Sequence, residues 1–377
     1  MATYKGIQGF SIQNLSADPS NPIEGQVWYN STSNVWKVEE ATAVGAWATG
    51  NNMNTARESL AGVGTQTAAL AAGGFITAVS GATEEYDGAT WTSSNSLNTA
   101  RSAPTGAGTQ TAGLVFGGYD GGSPGALTAT EEYDGNSWAT NPGSLTTGRF
   151  GLGGCGIQTA ALAFGGADSP TFLTATEEYN GATWATSNGL NTARRVQGTG
   201  TQTAGLAIAG QVPGSPAYTG VTEEYDGISW TNSNSLNTTR NALAGAGTQT
   251  AGLAFGGRPS PTTNVGATEE YDGISWTSSP VSMNTARRNL AGDGTQTAAL
   301  GFGGDTGSPT FSATTEEYDG TSWATSPASL STGRRGLAGA GNASVGLAFG
   351  GDLPGTTGAT EEWTGAGSPT TKTITVS

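Results

Sequence analysis

Carboxylates are the most numerous ionisable groups in this chain. Fourteen of its eighteen Glu stand in seven repeated pairs, six directly before a Tyr (Tyr86, Tyr133, Tyr179, Tyr225, Tyr271, Tyr318) and one before Trp363. Two carboxylates can act as acid and base in glycoside hydrolysis, or ligate calcium. On a strand, however, neighbouring side chains point to opposite faces, so both members of a pair cannot converge on one bond. Seven Arg recur in the same rhythm: Arg57, Arg101, Arg149, Arg194, Arg240, Arg287 and Arg334. We therefore expect Arg–carboxylate bridges tying successive repeats, with cation binding as the second reading of the pairs.

Other chemistries lack their residues. The absence of His removes Ser-His-Asp triads, His relays and His-ligated zinc or haem. The one cysteine, Cys155, cannot form an intramolecular disulfide and reads as a small buried apolar residue. Glycine doublets such as Gly73-Gly74 accompany neither a GxGxxG nor a Walker pattern and precede no helix, so they read as turns rather than phosphate cradles. A glycan-active centre needs convergent acids, and only Asp120, Asp168, Asp293, Asp305 and Asp352 stand outside the repeat to supply them. The expectation is a chain that is no enzyme and holds neither cofactor nor metal.

The elements that position these groups follow from composition and repetition. Gly supplies 62 of 377 residues and charged residues only 11%, which rules out a fold built mainly of amphipathic helices. Ten Trp, ten Tyr and ten Phe supply enough large apolar surface to exclude disorder. The net charge of −15 and only three Lys argue against nucleic-acid binding. No run of 18 apolar residues and no signal-peptide pattern is present, so neither membrane insertion nor Sec-type export is expected.

Trp47, Trp91, Trp138, Trp184, Trp230, Trp276 and Trp323 recur at spacings of 44 to 47, and each is followed 10 or 11 residues later by one of the seven Arg. A unit such as LAGDGTQTAALGFGG then ATTEEYDGTSW reads as four short strands: LAGxGT (a), AALAFGG (b), ATEEYDG (c) and the Trp segment (d). Four strands in about 46 residues is the period of a propeller blade. The set, Arg, an apolar run closing in Gly-Gly, Tyr-Asp, then Trp, resembles the Kelch repeat over about residues 47–365. The resemblance implies an all-β, seven-bladed Kelch-like β-propeller, with the repeated Trp and Arg as structural residues. The last repeat lacks strand d and Trp47–Asn54 is a strand d without its other three, so we expect the first fragment to complete the last blade and close the ring.

Residues 1–46 lie outside the repeat, which is assigned 47–377. EGQVWYNSTSNVWKV reads as a hairpin of Gln26–Asn30 and Val35–Val38, with Trp28, Tyr29 and Trp36 available for packing or attachment. The final TKTITVS alternates Thr with apolar residues and fits one more strand, joined either to the ring or to a partner. The opening, MATYKGIQGF through DPSNP to EGQVWYNSTSN, resembles the short N-terminal module of virion structural proteins of tailed bacteriophages. This implies a protein on a phage particle, of tail-fibre or decoration type, in several copies and attached to other virion proteins through residues 1–46.

Only the b–c loops vary: residues 75–81, 119–128, 167–174, 211–220, 258–266, 305–312 and 352–358. They carry Phe75, Tyr119, Asp120, Asp168, Phe172, Tyr218, Arg258, Asp305, Phe311 and Asp352, the expected face for a host-surface glycan or protein. Tolerated surface variation is the other reading of these loops. A free-standing binding module is the alternative to a virion protein.

Overall fold

The computed structural model describes residues 13–19, 26–41, 45–123, 125–141, 143–214, 217–307, 310–366 and 369–374. It is all-β, with no helix among the described residues. They fall into two compact units: residues 1–46 with 364–377, and residues 47–363.

In the larger unit one four-stranded antiparallel sheet recurs. Sheet I runs Ala61–Thr65, Ala68–Ala72, Thr83–Tyr86 and Trp91–Ser94, each strand beside its chain neighbour. Sheets II to VI open with Thr105–Gly108, Gly153–Ile157, Arg195–Thr201, Ala244–Thr248 and Ala291–Thr295. Sheet VII takes three strands from Ala338–Gly341, Val345–Phe349 and Thr360–Thr364, and its fourth from Ala46–Thr49. The a, b and c strands lie where the repeat places them. Strand d is confined to the Trp and the next two or three residues, because the Ser-Leu-Asn that follows already belongs to the connection.

Side chains pack between sheets rather than across one centre. Leu347 and Phe349 of sheet VII, for example, meet Tyr86 and Trp91 of sheet I. Glycine in strand a permits this approach: a Cβ on Gly62 would stand 2.7 Å from the Phe349 ring, and one on Gly292 2.4 Å from the Phe255 ring. The doublet Gly73-Gly74 has φ of 68° and 112°, a left-handed pair open to glycine at least strain.

The expected bridge between successive repeats is corrected. The first Glu of each pair salt-bridges the Arg of its own repeat, as in Arg57–Glu84 and Arg101–Glu131, both at 2.5 Å, and Arg149–Glu177 at 2.9 Å. The same holds for Arg194–Glu223, Arg240–Glu269, Arg287–Glu316 and Arg334–Glu361. All seven Arg are 0% exposed. The reason is local: the first Glu also accepts the backbone amides of the d–a connection, as Glu84 does from Asn54 (2.5 Å) and Thr55 (3.1 Å), so Arg and carboxylate together anchor that connection.

Three other groups join neighbouring sheets. The second Glu accepts the phenol of the following sheet's Tyr, Glu85 from Tyr133 and Glu132 from Tyr179 (2.5 Å). Each repeated Trp donates its indole N–H to the Thr that precedes the Glu pair in strand c of the preceding sheet. Trp138 bonds Thr83 and Trp184 bonds Thr130; Trp230, Trp276 and Trp323 bond Thr176, Thr222 and Thr268. Trp91 bonds Thr360 of sheet VII, and Trp47 bonds Thr315 of sheet VI. Finally, the Gln of the a–b turn reaches back to two carbonyls, as Gln158 does to Gly113 and Tyr133.

The smaller unit is a sheet in the order Gln13–Leu15, Val27–Asn30, Val35–Ala41, Pro369–Ile374. The second and third strands form the expected hairpin. The C-terminal strand, left open by sequence between the ring and a partner though it fell within the range 47–377, pairs with Val35–Ala41. Asp18 organises the unit, accepting from Trp28 Nε1 (3.0 Å), Asn30 Nδ2 (2.7 Å) and Lys37 Nζ (2.5 Å). Trp28 is fully buried, so it belongs to the core and cannot be a contact residue for a partner. Tyr29 and the exposed Trp36 lie against one another with ring centres 5.3 Å apart.

Candidate functional site

Immediately after each structural Arg comes a residue that pairs, antiparallel, with the residue after the glycine doublet. The pairs are Glu58 with Phe75, Ser102 with Tyr119, Phe150 with Ala167, Arg195 with Gln211, Asn241 with Arg258, Arg288 with Asp305 and Arg335 with Asp352. The scaffold fixes the backbone at these positions while leaving the side chains free to differ. The next residue is left-handed at Ser59 (φ 52°), Ala103 (47°), Ala242 (53°) and Asn289 (49°), a conformation that costs a non-glycine residue about 1 kcal/mol or more. It lets amides reach the preceding repeat: Ser59 bonds the Gly336 carbonyl at 3.0 Å, and Ala103 bonds that of Ser59 at 2.8 Å.

The chain has eleven Arg. Seven are consumed by the buried Glu, and the other four, Arg195, Arg258, Arg288 and Arg335, all stand at these paired positions. Arg288 holds Asp305 through Nε (3.0 Å) and Nη2 (2.7 Å), and Arg335 reaches both Asp305 (3.5 Å) and Asp352 (3.2 Å). Burial opposes the charge on Asp305, yet the two guanidinium groups and the Gly307 amide hold its carboxyl below the usual range. Burial raises Glu58, and the nearby Asp352 carboxylate adds to the rise against the opposing pull of Arg335. Glu58, Ser59, Asn289 and Arg335 border a cavity of about 380 Å³. A second cavity, of about 350 Å³, is bordered by Arg195, Gln197, Gln211, Asn241 and again Asn289.

The loop residues singled out by sequence divide between this site and loop structure. Arg258 donates to Asn241 Oδ1 at 3.2 Å and lies 5.6 Å from the Tyr218 ring, and Phe311 lies 4.7 Å from the Arg335 guanidinium. Phe172 lies 5.7 Å from the Arg195 guanidinium. Phe75 is partly exposed beside Glu58. Tyr119 and Asp120 are spent on their own loop: the Tyr119 hydroxyl donates to the Gly122 carbonyl (2.7 Å) and Asp120 accepts the Gly122 amide (2.7 Å). Asp168 is in a two-residue strand with a buried, unpartnered Oδ1. Asp293 sits in mid-strand in sheet VI, where burial raises its carboxyl. Sequence reasoning missed Glu58, Arg195, Asn241, Arg288, Asn289 and Arg335. Their signal was available in the doublets Arg194-Arg195, Arg287-Arg288 and Arg334-Arg335, which break the repeat at its most regular residue.

No protein-family model matches the chain, and no curated protein matches it. Among solved structures it is similar to one titled "Structure of YjhT", at 12% sequence identity and a TM-score of 0.56, over 73% of this chain and 98% of that one. At this identity the likeness is one of fold. It speaks against the expectation that the chain is no enzyme, which rested on absent residue types and on acids without a common site. A shared fold carries no exclusion of catalysis, and two of the five acids do come together: Asp305 and Asp352, joined by Glu58, gather around Arg335.

Proposed function

We propose that residues 47–363 form a seven-bladed, Kelch-like β-propeller closed by the strand at Ala46–Thr49, and that the chain is a virion structural protein of a tailed bacteriophage. In this reading the smaller unit attaches to other virion proteins and the b–c loop face meets a glycan or protein of the host surface. Closure is supported by the indole bonds, which step back one sheet at a time and return through Trp91 to Thr360 and Trp47 to Thr315. The virion assignment is supported by the resemblance of the opening module.

The observation that carries the binding role is the distribution of charge. Every Arg not used inside the scaffold stands on one face, beside the only variable loops. Charged and aromatic groups concentrated on a uniform support are the mark of a recognition surface. The test is binding of the labelled full-length chain to candidate host bacteria, in competition with intact particles. Saturable binding that blocks adsorption is expected. A folded chain that ignores every host cell that its particle infects refutes the host-binding role.

A further inference from the structure

Of the four Arg on the loop face, Arg288 and Arg335 are neutralised by Asp305 and Asp352. Arg195 is not. It makes no salt bridge with any described residue, and its Nε is buried without a hydrogen-bond partner. Its guanidinium is held 4.5 Å from the Phe150 ring centre, and the residue borders the cavity of about 350 Å³. A half-buried cation without a counter-charge is costly in an empty site and becomes an asset when an anion fills it.

The neighbouring polar groups point to the same ligand. Asn241 Oδ1 is taken by Arg258 Nε, which fixes the amide so that Nδ2 is its remaining donor. Gln211 and Asn289 add further amides to the border. The cavity volume is at the small end of ligand pockets, about 300–1,000 Å³, the size of one compact molecule rather than a long chain. We propose that this cavity binds a carboxylate-bearing sugar unit, with Arg195 and Asn241 Nδ2 donating to the carboxylate and the amides of Gln211 and Asn289 meeting its hydroxyls. The inference rests on the host-binding reading above and assigns it a ligand class.

The experiment is calorimetric titration of the full chain with galacturonate, its methyl ester and galactose at millimolar concentration. Galacturonate is expected to bind, and both neutral sugars to bind about tenfold more weakly or worse, the loss expected for a charge-assisted hydrogen bond. Arg195→Gln should weaken galacturonate by a similar factor and leave the neutral sugars unchanged. Equal affinity for galacturonate and its ester overturns the proposal on the wild-type chain alone, whatever the variant's stability, and so does absence of binding. If Arg195→Gln binds galacturonate as tightly as the wild type, the assignment to this cavity fails while the host-binding role stands; if it loses galacturonate yet adheres to host cells equally well, the sugar site stands and host binding does not pass through it. If the wild type binds galacturonate but no cells, the ligand assignment stands and the host-binding role fails.

Discussion

Arg194 is the side chain whose loss should cost the most per atom removed. It is fully buried against Glu223 and donates to the carbonyls of Thr192 (3.0 Å), Ala209 (3.1 Å) and Ala207 (3.3 Å). Glu223 also accepts the amides of Asn191 (2.5 Å) and Thr192 (3.2 Å). Arg194→Met keeps much of the volume but strands a carboxylate, a loss of about 3–5 kcal/mol. The three carbonyls that lose their donor place the value toward the upper end, since each unmet buried group costs about 1–3 kcal/mol. Adding Glu223→Gln removes the stranded charge and keeps an oxygen for one of the two amides, which bond different carboxylate oxygens. The double variant should therefore regain about 1–2 kcal/mol relative to Arg194→Met. Guanidinium denaturation followed by Trp fluorescence measures all three proteins. A loss below about 1 kcal/mol for Arg194→Met, or further destabilisation on adding Glu223→Gln, would refute the account of the buried pair.

Four shorter predictions follow from the same contacts. Trp47→Ala removes the ring that meets Phe302 and Trp363 and the bond to Thr315, and should lower stability by about 3 kcal/mol in the same assay; an unchanged midpoint contradicts closure through this strand. Gln158→Leu leaves the Gly113 and Tyr133 carbonyls without their side-chain donor and should cost about 1–2 kcal/mol, whereas Ile228→Ala, 70% exposed, should stay within about 0.5 kcal/mol. Asp18 is held at about 2 by hydrogen bonds from Lys37, Asn30 and Trp28. Its contribution to the smaller unit is complete above the unfolded value of about 3.9 and fades as pH falls through about 2, so the Trp28 indole resonance should persist at pH 4 and be lost toward pH 2. Burial pushes the Cys155 thiol up to about 12, so a thiol reagent at pH 8 should label the unfolded chain and leave the native one unmodified.

The repeated strands were legible because their residues obey one local rule throughout: small residues beside a turn, an apolar run, a glycine doublet. What tied the sheets together was harder to read, since it depends on which neighbour a side chain faces. Nothing in the sequence singles out the turn Gln as a tie, yet Gln110 and Gln158 reach across to the preceding sheet. The Arg and Glu were matched correctly as partners and wrongly as ties between repeats, because spacing alone cannot distinguish a partner in the same repeat from one in the next. The site was obscured for a related reason. Attention to loops of varying length passed over Arg195, Arg288 and Arg335, which occupy an invariant backbone position and vary only in side chain. The destination of the C-terminal strand was open in sequence because its alternation fits any sheet edge, and only pairing with Val35–Ala41 resolves it.

That pairing makes the larger unit an insertion within the smaller one. Were residues 47–363 unfolded, bringing Val35–Ala41 to Pro369–Ile374 would mean closing a loop of about 320 residues, roughly 5 kcal/mol of chain entropy. Once the sheets have formed, the first and last residues of the larger unit, Trp47 and Trp363, stand with ring centres 5.3 Å apart, and nearly all of that cost has been met. The smaller sheet thus gains its fourth strand only on a chain whose sheets are already assembled. If that sheet is the attachment point, it doubles as a quality checkpoint: misfolded copies would lack the surface by which they could be incorporated.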